Sequence, residues 1–439
     1  MSLVSRWNKL VQSVARPASV QVTPGKRHQV LKVDLSSNAM DTLSRLHAAG
    51  FEAYLVGGCV RDLQLGHKPK DFDVVTNATP EQVVGVFRHC RIIGRRFRLA
   101  HVFYRGEIIE VSTFRANTQE FGKLDPEDGE VTRVSEGNNV YGTLEEDAWR
   151  RDFTVNALYY RLQDASILDY TGGMTDIKNR RLRMIGDPHQ RFHEDPVRLL
   201  RAIRLAAKLD LKIEKQTYSQ LLALPHLLAH VAPARLFDEV GKLFFTGHAV
   251  ASFRWLKSTG YLEVLFPGPC RALNQLTDIR YKKLWDLVMT ETDRRYSKEL
   301  SLSPGYLLAV LFWPMVAQKQ AEIFKNTNRY AVSVHQGIRE SLIAARTVLQ
   351  IPKNFTGMME SIWSLFYRLQ SLKQSPSRLE RILAQRYVRA GVDFLELHVT
   401  AGWDCSDSVA WWRKHLPIVQ KFRHSHERSF SRRSRQRRD

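Results

Sequence analysis

The chain has 439 residues, and 66 Lys+Arg against 45 Asp+Glu give it a formal net charge of +21. Hydrophobic residues at 44% and charged residues at 25% are ordinary globular usage, which excludes wholesale disorder, and the length predicts two to four compact units. No run of apolar residues is long enough to predict a transmembrane helix, and the basic excess predicts a polyanionic partner, RNA or DNA before an anionic membrane surface.

Residues 1–33 hold no Asp or Glu but carry Arg6, Lys9, Arg16, Lys26, Arg27 and Lys32. Val4, Trp7, Leu10 and Val11 have helical spacing, so this basic arm could touch lipid or RNA, serve as an organelle transit segment, or remain an unstructured arm. Residues 34–165 read as mixed α/β. A helix is predicted over Ala39–Ala49, a strand over Glu52–Val56, a second strand over Phe72–Val75 and a helix over Pro80–Phe87. Phe97–Tyr104 and Ile108–Phe114 flank Arg105-Gly106 and predict a hairpin. Residues 117–143, rich in Gly, Asn, Asp and Glu, predict an excursion, and the pattern is helical from about 190 to about 413. The Ser/Arg-rich segment 421–439 cannot bury a core and could act as an electrostatic hook for phosphates. Four cysteines without a CxxC pair argue against a zinc ribbon and suit a reducing, cytoplasmic setting.

Five segments carry chemistry. In Leu55-Val56-Gly57-Gly58-Cys59-Val60-Arg61-Asp62 a strand ends in two glycines and a helix follows. Glycines let backbone N–H groups approach a phosphate, and Arg61 adds a full charge; the same turn could simply be tight. In Lys70-Asp71-Phe72-Asp73-Val74-Val75, strand alternation predicts Asp71 and Asp73 on one face. Two like charges so close are relieved by a divalent cation, and oxygen ligands favour Mg²⁺ or Mn²⁺; the alternative is a solvated strand edge. Glu110 interrupts an otherwise apolar strand and could complete such a set, which suits phosphoryl transfer at two metal ions. The segment 145–157 brings Arg151, Asp152 and Asn156 together, groups that can grip phosphates and ribose hydroxyls or merely form an ion-paired helix start. In 194–205, Pro196 suits a first helical turn, and Asp195 and Arg198 are neighbours on a helix, able to read a base edge or to pair with each other.

Together and in this order, these segments resemble the class II branch of the polymerase β-like nucleotidyltransferases, which holds bacterial poly(A) polymerases and tRNA CCA-adding enzymes. The likeness runs from about residue 38 to 245 and includes Leu168-Asp169-Tyr170-Thr171-Gly172-Gly173 and Ala234-Arg235-Leu236-Phe237-Asp238-Glu239. Within the branch, Ile92-Ile93-Gly94-Arg95-Arg96-Phe97-Arg98-Leu99-Ala100-His101-Val102 is similar to the poly(A) polymerase signature, and the Arg-rich tail is similar too. Cys59 departs slightly from relatives that carry Gly or Ala there.

The resemblance implies an α+β fold: a small mixed-sheet nucleotidyltransferase head followed by an all-α neck, body and leg. On this chain it implies a basic arm 1–33, head 34–165, base-recognising neck 166–245, RNA-binding body 246–413 and basic tail 414–439. Asp71, Asp73 and Glu110 would hold two Mg²⁺ ions, with Mn²⁺ as a substitute, and Asp152 is the runner-up for an essential acid. Gly57, Gly58 and Arg61 would hold the ATP triphosphate; Arg151, Asp152 and Asn156 would lie around its sugar. Asp195 and Arg198 would read adenine, with Arg201 and Arg204 nearby. Arg95, Arg96, Arg432, Arg433, Arg435, Arg437 and Arg438 would engage RNA. The implied activity is template-independent addition of AMP to RNA 3′ ends in the cytoplasm. It leaves room for RNA-decay helper proteins and for peripheral membrane contact through the basic arm. A tRNA CCA- or A-adding enzyme would share the fold and the acids. An inactive RNA-binding paralogue would have shed an acid, and all three candidates are present.

Overall fold

In the computed structural model, which describes residues 19–94, 98–116, 141–370 and 376–416, Ser36 opens the first helix, α1 (Ser37–Ala48), by accepting the Ala39 amide at 3.4 Å. The expectations for the arm's first 18 residues, for 117–140, for Arg95 and Arg96, and for Arg432, Arg433, Arg435, Arg437 and Arg438 lie outside the described residues. The described residues divide into two compact units, 19–191 with 211–220, and 192–210 with 221–416.

The first unit is built on one sheet of eight strands: β1 (Gln21–Thr23), β2 (Ala53–Val56), β3 (Asp73–Thr76), β4 (Cys90–Ile93), β5 (Leu99–Tyr104), β6 (Glu107–Thr113), β7 (Leu158–Arg161) and β8 (Ser166–Asp169). Their order is β1-β8-β7-β2-β3-β6-β5-β4. Neighbours run antiparallel except β3 and β6, which are parallel because β4 and β5 intervene between them in the chain. The hairpin β5–β6 turns at Arg105-Gly106, with Tyr104 opposite Glu107 and Gly106 at φ 88°. Helix α2 (Gly58–Gln64) follows β2, and α3 (Pro80–Val86) and α4 (Leu144–Trp149) each start from a capping box, Thr79 with Gln82 and Thr143 with Glu146. Tyr54, Val56, Val75, Phe114, Leu144, Ala148, Tyr159 and Leu168 form a core cluster on one face of the sheet.

The mixed-sheet head is therefore present, and the sheet reaches past 34–165 at both ends. Gln21–Thr23, from the stretch read as a basic arm, pairs antiparallel with Ser166–Asp169, from the stretch read as neck. These short strands supply the ladder partners that the edge of β7 needs. Helix α5 (Gly173–Lys178) begins where Gly173 packs against the Thr154 carbonyl so closely that a Cβ there would sit 2.2 Å from its oxygen. A two-stranded parallel sheet, β9 (Arg181–Leu182) with β10 (Lys212–Ile213), interrupts the otherwise helical pattern expected after about 190.

The second unit is helical throughout its described residues. The helix Pro304–Thr327 is its centre, packed by 267–275, 280–297, 330–348 and 353–369. Indole N–H groups pin the helices together: Trp363 donates to the Ala309 carbonyl at 2.9 Å and Trp412 to that of Leu369 at 2.8 Å. Among the described residues, no helix is long and apolar enough to cross a membrane.

Candidate active site

The site grows from the end of β2. Val56 is the Cα partner of Asp73 across the antiparallel pair, and Glu110 is the partner of Asp73 across the parallel pair. Three adjacent strands thus place the glycine turn, Asp73 and Glu110 in one row. Gly57 leaves β2 at φ 77° and ψ −126°, a conformation closed to residues with a Cβ. Helix α2 then starts beside the acid: buried Cys59 has its thiol pushed up to about 12, first by burial and then by the charge of Asp73.

Asp73 itself is half-buried, and its carboxyl is raised to about 6, first by burial, then by the charges of Glu110 and Asp71, against the pull of Arg151. Asp71 is exposed and precedes β3 instead of lying on it, which corrects the shared-strand expectation. The physical reason lies on one side: β2 ends at Val56, the partner of Asp73, so Asp71 has no ladder partner there. The oxygen donors of Asp71, Asp73 and Glu110 fit a hard divalent cation by their chemistry, and their mutual repulsion is what such a cation relieves. Among the described residues, no three His, Cys, Asp or Glu side chains converge into a finished cage. A divalent cation held here would therefore need water or substrate phosphates to complete its oxygen shell.

Behind the acids lies a hydrogen-bonded polar chain. Arg61, 5% exposed, donates from Nε to Asp62 at 2.8 Å and from Nη1 to Asn156 Oδ1 at 2.5 Å. Asn156 Nδ2 donates to Asp152 at 3.0 Å. Of the expected group Arg151, Asp152 and Asn156, the structure joins Asp152 to Asn156, links Asn156 to Arg61 instead of Arg151, and gives Arg151 other partners. Arg151 donates to Asp147 from Nε at 3.0 Å and Nη2 at 2.8 Å, and to the Tyr159 hydroxyl at 2.9 Å. A Cβ on Gly57 would stand 3.7 Å from Arg151 Nη1, so this guanidinium borders the glycine turn.

Sequence reasoning missed the organiser of this cluster. Asp147 is fully buried and takes Arg150, Arg151, the Tyr159 hydroxyl at 2.9 Å and the Arg115 amide at 3.3 Å. Burial pushes its carboxyl up, but Arg151 and then Arg150 more than offset this and hold it below the usual carboxylate range. The spacing of Asp147 to Arg150 and Arg151, three and four residues on, was the available signal. Arg191 was missed as well: its Nη2 donates to the Arg150 and Arg151 carbonyls at 2.6 and 2.7 Å.

The second unit carries Asp195, Arg198, Arg201 and Arg204. Pro196 is the N-cap of helix Val197–Leu209, and Asp195 accepts the Val197 amide at 3.4 Å. Asp195 and Arg198 are neighbours, the Arg198 amide donating to the Asp195 carbonyl at 3.0 Å, while their side chains take other partners: Arg198 donates to Glu194 at 2.8 Å, and Asp195 is met by Arg235 at 3.1 Å. Glu194 ends the preceding helix, Pro188–Glu194, and Arg235 arrives from the helix Pro233–Phe244. Arg204 faces buried Glu239 at 3.4 Å, and Arg201 is half-buried on the same helix.

A glycine turn that shares a strand row with facing acids is the working end of a nucleotidyltransferase head, and this is the class the first unit defines. Three family models match: a poly A polymerase head domain over 53–183, a probable RNA and SrmB-binding site of polymerase A over 210–273, and a polymerase A arginine-rich C-terminus over 326–439. The chain belongs to the poly(A) polymerase I family: it is 42% identical to the Poly(A) polymerase I of Haemophilus influenzae, over 87% of this chain and 85% of that one. A CC-adding tRNA nucleotidyltransferase of Halalkalibacterium halodurans is 35% identical over 64% of this chain and 63% of its own length. The solved Thermotoga maritima CCA-adding enzyme complexed with tRNA shares the fold, with TM-score 0.58 and 18% identity over 92% of this chain and 89% of that one.

Proposed function

We propose that this protein adds adenylate residues to RNA 3′ ends without a template, transferring AMP from ATP to the 3′-hydroxyl and releasing pyrophosphate. The observation that carries the substrate assignment is the extent of likeness: 87% of the chain aligns with a poly(A) polymerase I, against 64% with the CC-adding enzyme. The row of Val56, Asp73 and Glu110, with the Gly57 turn following Val56, supports the chemistry.

In this reading Asp71, Asp73 and Glu110 hold two Mg²⁺ ions, for which Mn²⁺ can substitute. Bound there, the ions supply positive charge that favours the ionised 3′-oxygen and the departing pyrophosphate. Gly57 and Gly58 offer backbone N–H groups to the triphosphate, and Arg61 adds charge beside them. Arg151, Asp152 and Asn156 lie around the sugar. Asp195 and Arg198 read the adenine edge, with Arg201 and Arg204 adding positive charge along the same helix. The basic excess, Arg95 and Arg96, and the tail arginines Arg432, Arg433, Arg435, Arg437 and Arg438 draw RNA by its phosphates. The division into head, neck, body and leg belongs to this reading, as do action in the cytoplasm, service to RNA processing and turnover, and contacts with decay proteins or with a membrane through the basic arm.

Primer extension tests it. Purified protein with Mg²⁺ and single NTPs is given a generic single-stranded RNA or a tRNA lacking its last three nucleotides. A long ATP-dependent ladder on the generic RNA is expected. Extension of the tRNA alone, stopping after a few additions and using CTP, would establish a tRNA-end enzyme instead.

A further inference from the structure

His101 lies in the stretch 92–102, which the sequence singled out for its arginines. On β5 it is the Cα partner of Glu110 on β6, and Glu110 is the partner of Asp73 on β3, so the three residues cross the sheet in one row. The imidazole Nε2 stands 3.3 Å from Glu110 Oε1, with the histidine side chain 6% exposed and the glutamate side chain 48% exposed. A half-exposed glutamate has several rotamers to lose when it engages a cation, and each frozen rotamer costs free energy. A buried ring standing against the carboxylate limits those rotamers and so reduces this cost before the cation arrives.

We infer that His101 is a positioning residue that holds the Glu110 carboxylate in place for the divalent cation; the inference rests on the assignment of Glu110 to the acid set. The competing account is a core histidine that has found the nearest acid. The two differ in whether the effect of His101 runs through Glu110.

The test is Mn²⁺ binding to the ATP-free protein, followed by electron paramagnetic resonance, together with the Mg²⁺ dependence of single-adenylate addition and a thermal melt of each variant. His101→Phe is expected to weaken Mn²⁺ binding about tenfold, the lower end of the effect of removing a ligand's partner, and to raise the Mg²⁺ requirement in parallel. His101→Gln, which keeps an N–H donor, is expected to bind within about threefold of wild type. Combined with Glu110→Gln, His101→Phe should weaken binding no further. Wild-type Mn²⁺ binding by His101→Phe would overturn the inference, as would an equal loss in the Glu110→Gln background, which marks a structural role. If Glu110→Gln itself binds Mn²⁺ and extends RNA as wild type does, the assignment of Glu110 falls and takes His101 with it. Should His101→Phe melt early, His101→Ala takes its place, read against His101→Gln.

Discussion

Asp73 and Glu110 face each other across the one parallel junction of the eight-stranded sheet, and the charge of Glu110 raises the cost of ionising Asp73. The Asp73 carboxyl, raised to about 6 by burial and then by Glu110 and Asp71, is a liability in the cation-free protein. In the unfolded chain it would titrate near ~3.9. The penalty is therefore absent below that pH, grows up to about 6 and is constant above it. Asp73→Asn should abolish extension, by at least ~10³-fold if several kcal/mol of charge stabilisation is lost. In EDTA at pH 8 the same variant should be more stable than wild type by about 1–3 kcal/mol, an advantage that vanishes near pH 4. Thermal melts at the two pH values check this, and a lower melting temperature at pH 8 would contradict it.

The buried carboxylate of Asp147 acts in the opposite sense. Its carboxyl is held low by Arg151 and Arg150 against burial, so its stabilisation is present above the unfolded value and is lost as pH falls through the folded one. Asp147→Asn leaves two guanidiniums without their counterion, which costs about 3–5 kcal/mol when such a pair is broken from one side. Urea denaturation at pH 7 should show that loss. Because Arg151 borders the Gly57 turn, the KM for ATP should also rise, by about tenfold, the size of one lost charge-assisted hydrogen bond.

The parts of this site that were legible are those fixed by local chemistry. The Gly57-Gly58 turn, the Arg105-Gly106 hairpin and the helix that follows Thr79 depend on neighbours a few residues away. The hairpin turn alone sets Tyr104 against Glu107, so His101 against Glu110 follows by counting, although only the arginines of that stretch had drawn notice. What was not legible required distant partners. Asp71 lies before β3, whose ladder with β2 begins only at Asp73, the partner of Val56. Which member of Glu145-Glu146-Asp147 is buried depends on Tyr159, twelve residues on, and Asp195 found Arg235, forty residues on, instead of Arg198. The parallel junction itself arises from how strands pack after a crossover, which no periodicity records.

In the helical unit, His398 predicts a separate pH response. Its ring is 1% exposed among Trp313, Phe366, Phe394 and Trp403, and burial lowers its pKa to about 4, against the contrary effect of the Phe394 carbonyl at 2.8 Å. The unfolded value is near ~6.5. A lowered histidine favours the fold fully above the unfolded value, and that contribution is lost as pH falls from there towards 4. The helical unit should therefore lose up to about 3 kcal/mol between pH 7 and pH 4 through this group. His398→Phe should flatten that slope while costing about 1 kcal/mol at pH 7 for the lost hydrogen bond. Melts across the pH range would show whether the slope survives the substitution; if it does, other groups cause it.

Arg235 predicts a variant in which specificity suffers more than stability. Its Nη2 lies 3.1 and 3.2 Å from the two oxygens of Asp195, in a pair whose side chains are 57% and 31% exposed. Such an exposed pair contributes at most ~1 kcal/mol to folding, so Arg235→Gln should melt close to wild type. If Asp195 reads the nucleobase, its carboxylate accepts from the amino group of adenine and repels the keto oxygen that uracil presents at the same place. Held by Arg235, the carboxylate has a fixed direction; released, it can turn away from uracil. Arg235→Gln should therefore lower the preference for ATP over UTP by about tenfold, with most of the change in improved kcat/KM for UTP, since a good contact of this kind is worth ~1–3 kcal/mol of discrimination. Asp195→Asn, whose amide can both donate and accept, should lose more of that preference than Arg235→Gln. Single-nucleotide incorporation on a short RNA with each NTP measures both. Unchanged discrimination in Arg235→Gln would show that Asp195 keeps its direction without the arginine, through the Val197 amide and the helix start alone.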